Sequence, residues 1–207
     1  MADAARARTP PAIHPLFIRV THWVNAVAIF VMTLSGWRIY NASPLFGFEF
    51  PPGFTLGGWL AGALAWHFAG MWLLALNGMA YLAYGIVSGH FRRRFLPISF
   101  RRALDDVVHA SQGRLDHAPG RYNAAQRLLY VGVILAAIVA ILSGLAIWKP
   151  VQLQELTALM GGYEAARRVH FFAMAAIVAF LFVHIGLAIG VKGVLMPMFT
   201  GRAEASR

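Results

Sequence analysis

Residues 166–191 read ARRVHFFAMAAIVAFLFVHIGLAIGV. Beyond the two arginines near its start, the ionisable side chains in this run are His170 and His184. A stretch this long and apolar can cross a bilayer, which takes about 20 helical residues. Lipid offers no water to satisfy an open backbone, so the stretch is read as a helix. His170 and His184 are 14 residues apart. At about 100° per residue they lie about 40° from each other around the helix, and at about 1.5 Å per residue roughly 21 Å apart along it. The two imidazoles share one face and are too far apart to bind one metal ion.

Three more stretches meet the same length and polarity test: 16–40, 56–87 and 128–148. The first is too long for a cleavable signal peptide and ends without a small-residue cleavage motif. The expected fold is all-α, an integral membrane four-helix bundle forming one domain over residues 1–207. Composition agrees. The 207 residues are 59% hydrophobic and 13% charged, with a mean hydropathy of +0.61. Soluble domains are nearer about 45–50% apolar and a quarter charged. We find no internal sequence repeat and no low-complexity segment.

The net charge of +10 could suggest a nucleic-acid partner, but the arginines lie between apolar runs and not on one soluble module. Fourteen of the 18 lysines and arginines fall in three regions: the N-terminal tail to Arg19, the loop 88–127, and the C-terminal tail. Four spans put these regions on one side, so the positive-inside rule makes both termini cytoplasmic. Within the long loop, Ser99 can cap a short helix with Leu104, Val107, Val108 and Ser111 on its apolar face, lying at the lipid headgroups. Residues 151–160 form a second short amphipathic candidate on the outer side, ended by Gly161-Gly162.

Ionisable side chains inside a membrane are costly and are functional suspects. His22, His67, His170 and His184 fall within the spans. The first span runs outward and starts near His22; the second runs inward with His67 in its outer half. His22 therefore meets His184 near the inner face, and His67 meets His170 near the outer face. Two facing imidazoles at one depth suit a flat macrocycle with two axial ligands. Zinc fits poorly, because neither pair has carboxylates or thiols nearby. There is no cysteine, which excludes iron–sulfur clusters and thioether-linked haem. Two non-covalent b-type haems follow as the expected cofactors, ligated by His22 with His184 (inner) and His67 with His170 (outer). Gly36 is 14 residues after His22, and Gly70 is one turn after His67. Both could admit the outer macrocycle, or could simply let helices pack closely.

At these residues the chain resembles the four-helix di-haem cytochrome b family. That family includes bacterial cytochrome b561 and the cytochrome subunits of nickel–iron hydrogenase, formate dehydrogenase and thiosulfate reductase. The resemblance rests on Arg19-Val-Thr-His22-Trp23, on His67, on Gly162-Tyr163 through Arg168-Val-His170, and on His184. It implies electron transfer in the bacterial inner membrane between the quinone pool, ubiquinone or menaquinone, and a periplasmic redox partner such as a molybdopterin oxidoreductase. The five-span members carry a helix that this chain lacks. Haem propionates need cationic partners. Arg19 is the inner candidate, and Arg167 and Arg168 are the outer ones. Trp23, Trp37, Trp59 and Trp148 suit the aromatic belt. Tyr163 is a candidate contact for the outer haem or a partner. His14, Arg19 and Asn25 lie at the depth expected of a quinone site beside the inner haem. Two other readings remain open here: a stand-alone superoxide:quinone oxidoreductase, and a small transporter or scaffold whose histidines serve protons or packing.

Overall fold

The computed structural model describes residues 14–89, 99–112, 123–191, 193 and 195–202. Among the described residues there are four long helices: α1 (Leu16–Ala42), α2 (Leu60–Val87), α4 (Ala124–Trp148) and α6 (Tyr163–Gly190). All four are long and apolar enough to span a membrane. The same residues hold three short α-helices, α3 (Phe100–Ser111), α5 (Gln154–Leu159) and α7 (Met196–Thr200), and one 3-10 turn at Pro52–Phe54. No strand occurs among the described residues. The chain is an all-α membrane bundle, as expected. The termini-side cation clusters Arg92–94, Arg114 and Arg121 lie outside the described residues.

Local chemistry sets the helix ends. The second long helix begins at Leu60, four residues later than expected. Gly57 and Gly58, at φ 104° and 68°, turn the chain just before it. The third begins four residues earlier than expected, at Ala124. Asn123 accepts from the Gln126 backbone at 2.7 Å, and the Gln126 side chain accepts from the Asn123 backbone at 3.1 Å, closing a capping box. Asp106 of α3 adds a second cap. Its carboxylate accepts from the Ala124 and Ala125 backbones at 2.6 and 3.1 Å. A carboxylate at this position also favours the positive end of the α4 dipole. The short loop helix is thereby pinned to α4, with Ala103 buried and Leu104 and Val108 exposed on its apolar side. Gly161 and Gly162, both left-handed, end α5 and start α6.

Among the described residues, the closest helix packing runs within two antiparallel hairpins, α1 with α2 and α4 with α6. Small residues make that packing possible: Ala28, Ala63 and Gly70 in one hairpin, Ala146, Ala166 and Ala173 in the other. Among the described residues, no side chain larger than serine is fully buried. A membrane protein gains nothing by hiding leucine from lipid, so large apolar side chains face outward. The interior is defined by what the hairpins hold between them.

Candidate functional site

The structure brings the four intramembrane histidines together in two pairs across the space between the hairpins. His22 of α1 faces His184 of α6, with ring centroids 5.9 Å apart and ring planes 59° apart. His67 of α2 faces His170 of α6 at 6.3 Å and 69°. The first pair lies toward the bundle end that carries His14 and Arg202, and the second toward the opposite end.

The second pair is held by hydrogen bonds at Nδ1. His67 Nδ1 lies 3.1 Å from the Met32 carbonyl and 3.1 Å from Ser35 Oγ. His170 Nδ1 lies 2.9 Å from the Ala140 carbonyl and 3.2 Å from Ser143 Oγ. A carbonyl only accepts, so in each neutral ring Nδ1 carries the proton and donates. The Nε2 lone pair is left free to bind a metal. The ring edges also reach glycine. A Cβ on Gly36 would stand 3.4 Å from His67 Cε1, and one on Gly144 would stand 3.2 Å from His170 Cε1. Ser35, Ser143, Gly144, Met32 and Ala140 were not among the residues expected from the sequence. A signal was there to read: Leu34-Ser35-Gly36 and Leu142-Ser143-Gly144 are two copies of one tripeptide in equivalent places of the two hairpins. The absence of a repeat, expected from the sequence, is corrected to that extent.

The first pair is set in aromatic side chains instead. Phe180 stacks on His184 at 5.4 Å and 15°, and Trp23 meets His22 edge-on at 5.3 Å. Tyr130, also absent from the sequence expectations, approaches His184 at 6.4 Å.

Other expected residues land as follows. Gly70 faces α1, where a Cβ would press on Met32 Cγ at 2.8 Å, so it serves the helix crossing and not the histidine pair. Arg19 donates to the Phe199 carbonyl, and its neighbour Trp23 donates to the Met198 carbonyl at 3.3 Å. These bonds, with the His14 backbone donating to Gly201 at 3.3 Å, fasten the C-terminal turn across the start of α1. The Arg19 Nε is buried and has no hydrogen-bond partner among the described residues. Arg167 pairs with Glu164 at 3.1 Å and donates to the Ser43 carbonyl, tying the 43–50 loop to α6. Arg168 is exposed beside it. Asn25 accepts at 2.7 Å from Asn77, which also donates to the Thr21 carbonyl at 2.8 Å. Asn77 was missed because a lone amide in an apolar run carries no spacing signal. At the opposite end, Trp37 stacks flat on Phe50 at 4.6 Å. Trp59 and Trp148 are exposed there, as membrane-belt side chains are.

Four apolar helices around two facing imidazole pairs define a membrane-embedded helical protein with a histidine-lined interior. The known proteins it matches narrow that class. The profile of prokaryotic cytochrome b561 matches residues 13–201. A protein of Azospira oryzae, provisionally named protein-methionine-sulfoxide reductase subunit YedZ1, is 52% identical over 191 residues, spanning 92% of this chain and 96% of its own. A provisionally named Ni/Fe-hydrogenase B-type cytochrome subunit of Bradyrhizobium diazoefficiens is 25% identical, spanning 90% of this chain and 81% of its own. The formate dehydrogenase cytochrome b556(fdo) subunit of Escherichia coli K12 is 24% identical, spanning 88% and 81%. The chain belongs to the prokaryotic cytochrome b561 family. It is a multi-pass membrane electron-transfer protein, and the family implies b-type haem.

The residues fit that group. A metal–imidazole bond is about 2.0 Å and a ring centre lies about 1.1 Å behind its nitrogen, so rings on opposite sides of one metal have centres roughly 6.2 Å apart. The observed 5.9 and 6.3 Å meet that separation. Among the described residues no three His, Asp or Glu side chains cluster at either pair.

Proposed function

We propose that this chain, one membrane unit over its whole length, carries electrons across the bacterial inner membrane through two b-type haems. His22 and His184 ligate the inner one, and His67 and His170 the outer one. Haem iron, when bound, supplies a one-electron couple at each level. The protein supplies the unprotonated Nε2 lone pairs, the fixed tautomer of His67 and His170, and a lipid-shielded path. The observation that carries this reading is the pair of imidazole separations, each suited to one metal between two rings. The termini are cytoplasmic on this reading, which follows the arginine distribution. Arg167 and Arg168 are the candidate cations for the outer propionates, and Arg19, whose buried Nε has no hydrogen-bond partner among the described residues, is the inner one.

Electrons enter from a quinol near the inner pair, beside His14, Arg19 and Asn25. They leave to a periplasmic oxidoreductase. Among partner types, a reductase of protein methionine sulfoxide is favoured. The relative provisionally named for that activity is 52% identical over nearly the whole chain, against 25% and 24% for the hydrogenase and formate dehydrogenase subunits.

The test is a pyridine haemochrome count with reduced-minus-oxidised spectra on purified protein. Two b-type haems per chain are expected, with one left in His67→Ala. A wild-type protein with no haem ends the reading. His67→Ala that folds and keeps both haems refutes the pairing. Reduction of the outer haem by a quinol analogue, followed by reoxidation on adding a methionine sulfoxide reductase subunit, tests the partner.

A further inference from the structure

The outer histidines are held by one device used twice. In α1 the carbonyl of Met32, the hydroxyl of Ser35 and the missing side chain of Gly36 occupy positions i, i+3 and i+4. In α4 the carbonyl of Ala140, the hydroxyl of Ser143 and Gly144 occupy the same three positions. A helix carbonyl is normally covered by the side chain one turn later. Glycine at i+4 leaves it open, and the imidazole from the neighbouring helix comes within contact of where a Cβ would stand, 3.4 Å at Gly36 and a tighter 3.2 Å at Gly144. The carbonyl has a second lone pair beyond the one its own helix uses.

The serine hydroxyl completes the arrangement. Ser35 Oγ lies 2.6 Å from the Val31 carbonyl, and Ser143 Oγ lies 2.6 Å from the Val139 carbonyl. Each hydroxyl proton is spent on its own helix one turn back. The oxygen can therefore only accept from the histidine. Each Nδ1–H is shared between a carbonyl and a hydroxyl oxygen, and both serines are fully buried. Two acceptors on one N–H fix the ring against rotation more firmly than one. They also withdraw the proton and make Nε2 a stronger donor.

Resting on the di-haem reading above, we propose that Ser35 and Ser143 are a matched pair of positioning residues for the outer haem. They act through His67 and His170 from opposite hairpins, to lock both ring planes and lower the potential of that haem alone. His22 and His184 have no hydrogen bond at a ring nitrogen among the described residues. The inner haem is thus an internal control.

The experiment uses the full-length protein with haem bound. Ser35→Ala, Ser143→Ala and the double variant are titrated potentiometrically, and their ferric low-spin EPR signals are recorded. Removing an acceptor from Nδ1–H weakens the iron's preference for the ferric state. Each single variant should shift the oxidised-to-reduced ratio of one haem several-fold toward the reduced form. Both should act on the same haem, the one lost in His67→Ala, and the double variant should shift it by about the product. The EPR line of that haem should broaden or move, since it reports the angle between ring planes. Loss of that haem alone also supports the proposal. Unchanged potentials, equal shifts in both haems, or the two serines acting on different haems would overturn it while the di-haem reading stood. Absence of haem from the wild-type protein would instead end the underlying reading.

Discussion

Gly36 and Gly144 occupy equivalent places, yet they tolerate a methyl group differently. A Cβ at Gly36 meets His67 Cε1 at 3.4 Å and Nδ1 at 3.7 Å; one at Gly144 meets His170 Cε1 at 3.2 Å and Nδ1 at 3.5 Å. Carbon atoms settle at about 3.5–4.0 Å. Against the near edge of that range Gly36→Ala needs about 0.1 Å of relief, which side-chain adjustment supplies. Gly144→Ala needs about 0.3 Å, and His170 must retreat to give it. That retreat stretches the 2.9 Å bond to the Ala140 carbonyl. Replacing a helical glycine by alanine is worth about 1 kcal/mol in both cases. At position 36 the gain survives. At position 144 it is offset by a strained hydrogen bond of about 1 kcal/mol. We expect Gly36→Ala to melt at or slightly above wild type in detergent, with two haems and unchanged spectra. We expect Gly144→Ala to melt near wild type but to show a displaced EPR signal or lower occupancy at the outer haem. The measurements are thermal melting, the haemochrome count and EPR on the same samples. If Gly36→Ala disturbs the outer haem more than Gly144→Ala does, or if Gly144→Ala alters the inner haem, the reasoning fails.

Two further outcomes are expected elsewhere in the fold. A double-mutant cycle on Asn25→Leu and Asn77→Leu should return a coupling of about 0.6 kcal/mol, the usual size for such bonds in membranes; strictly additive melting losses would deny the bond. Arg19→Ala should loosen the C-terminal turn at 196–202. The lost bond to the Phe199 carbonyl is worth about 1 kcal/mol, so proteolysis there should run roughly fivefold faster, and an unchanged rate would count against the clasp.

The sequence by itself determined that this is a four-span membrane protein. Apolar run length and the absence of water in lipid leave no other backbone solution. It also determined that His170 and His184 lie on one face at different depths, because helical rise and twist are fixed by local geometry. The helix ends were less legible. The start of α4 depends on a capping box and on Asp106 reaching in from another helix, and the latter is a tertiary contact. What only the tertiary structure decided is how each ring is held. Ser35 to His67 spans 32 residues and Ser143 to His170 spans 27, so neither bond has a local period to betray it. The same holds for Gly70. One turn after His67 it could have faced the cofactor or the partner helix, and the rotation of α2 against α1 set that choice. Sequence spacing fixes where a side chain sits on its own helix; the rotation of one helix against another, set by packing of small residues, fixes what it touches.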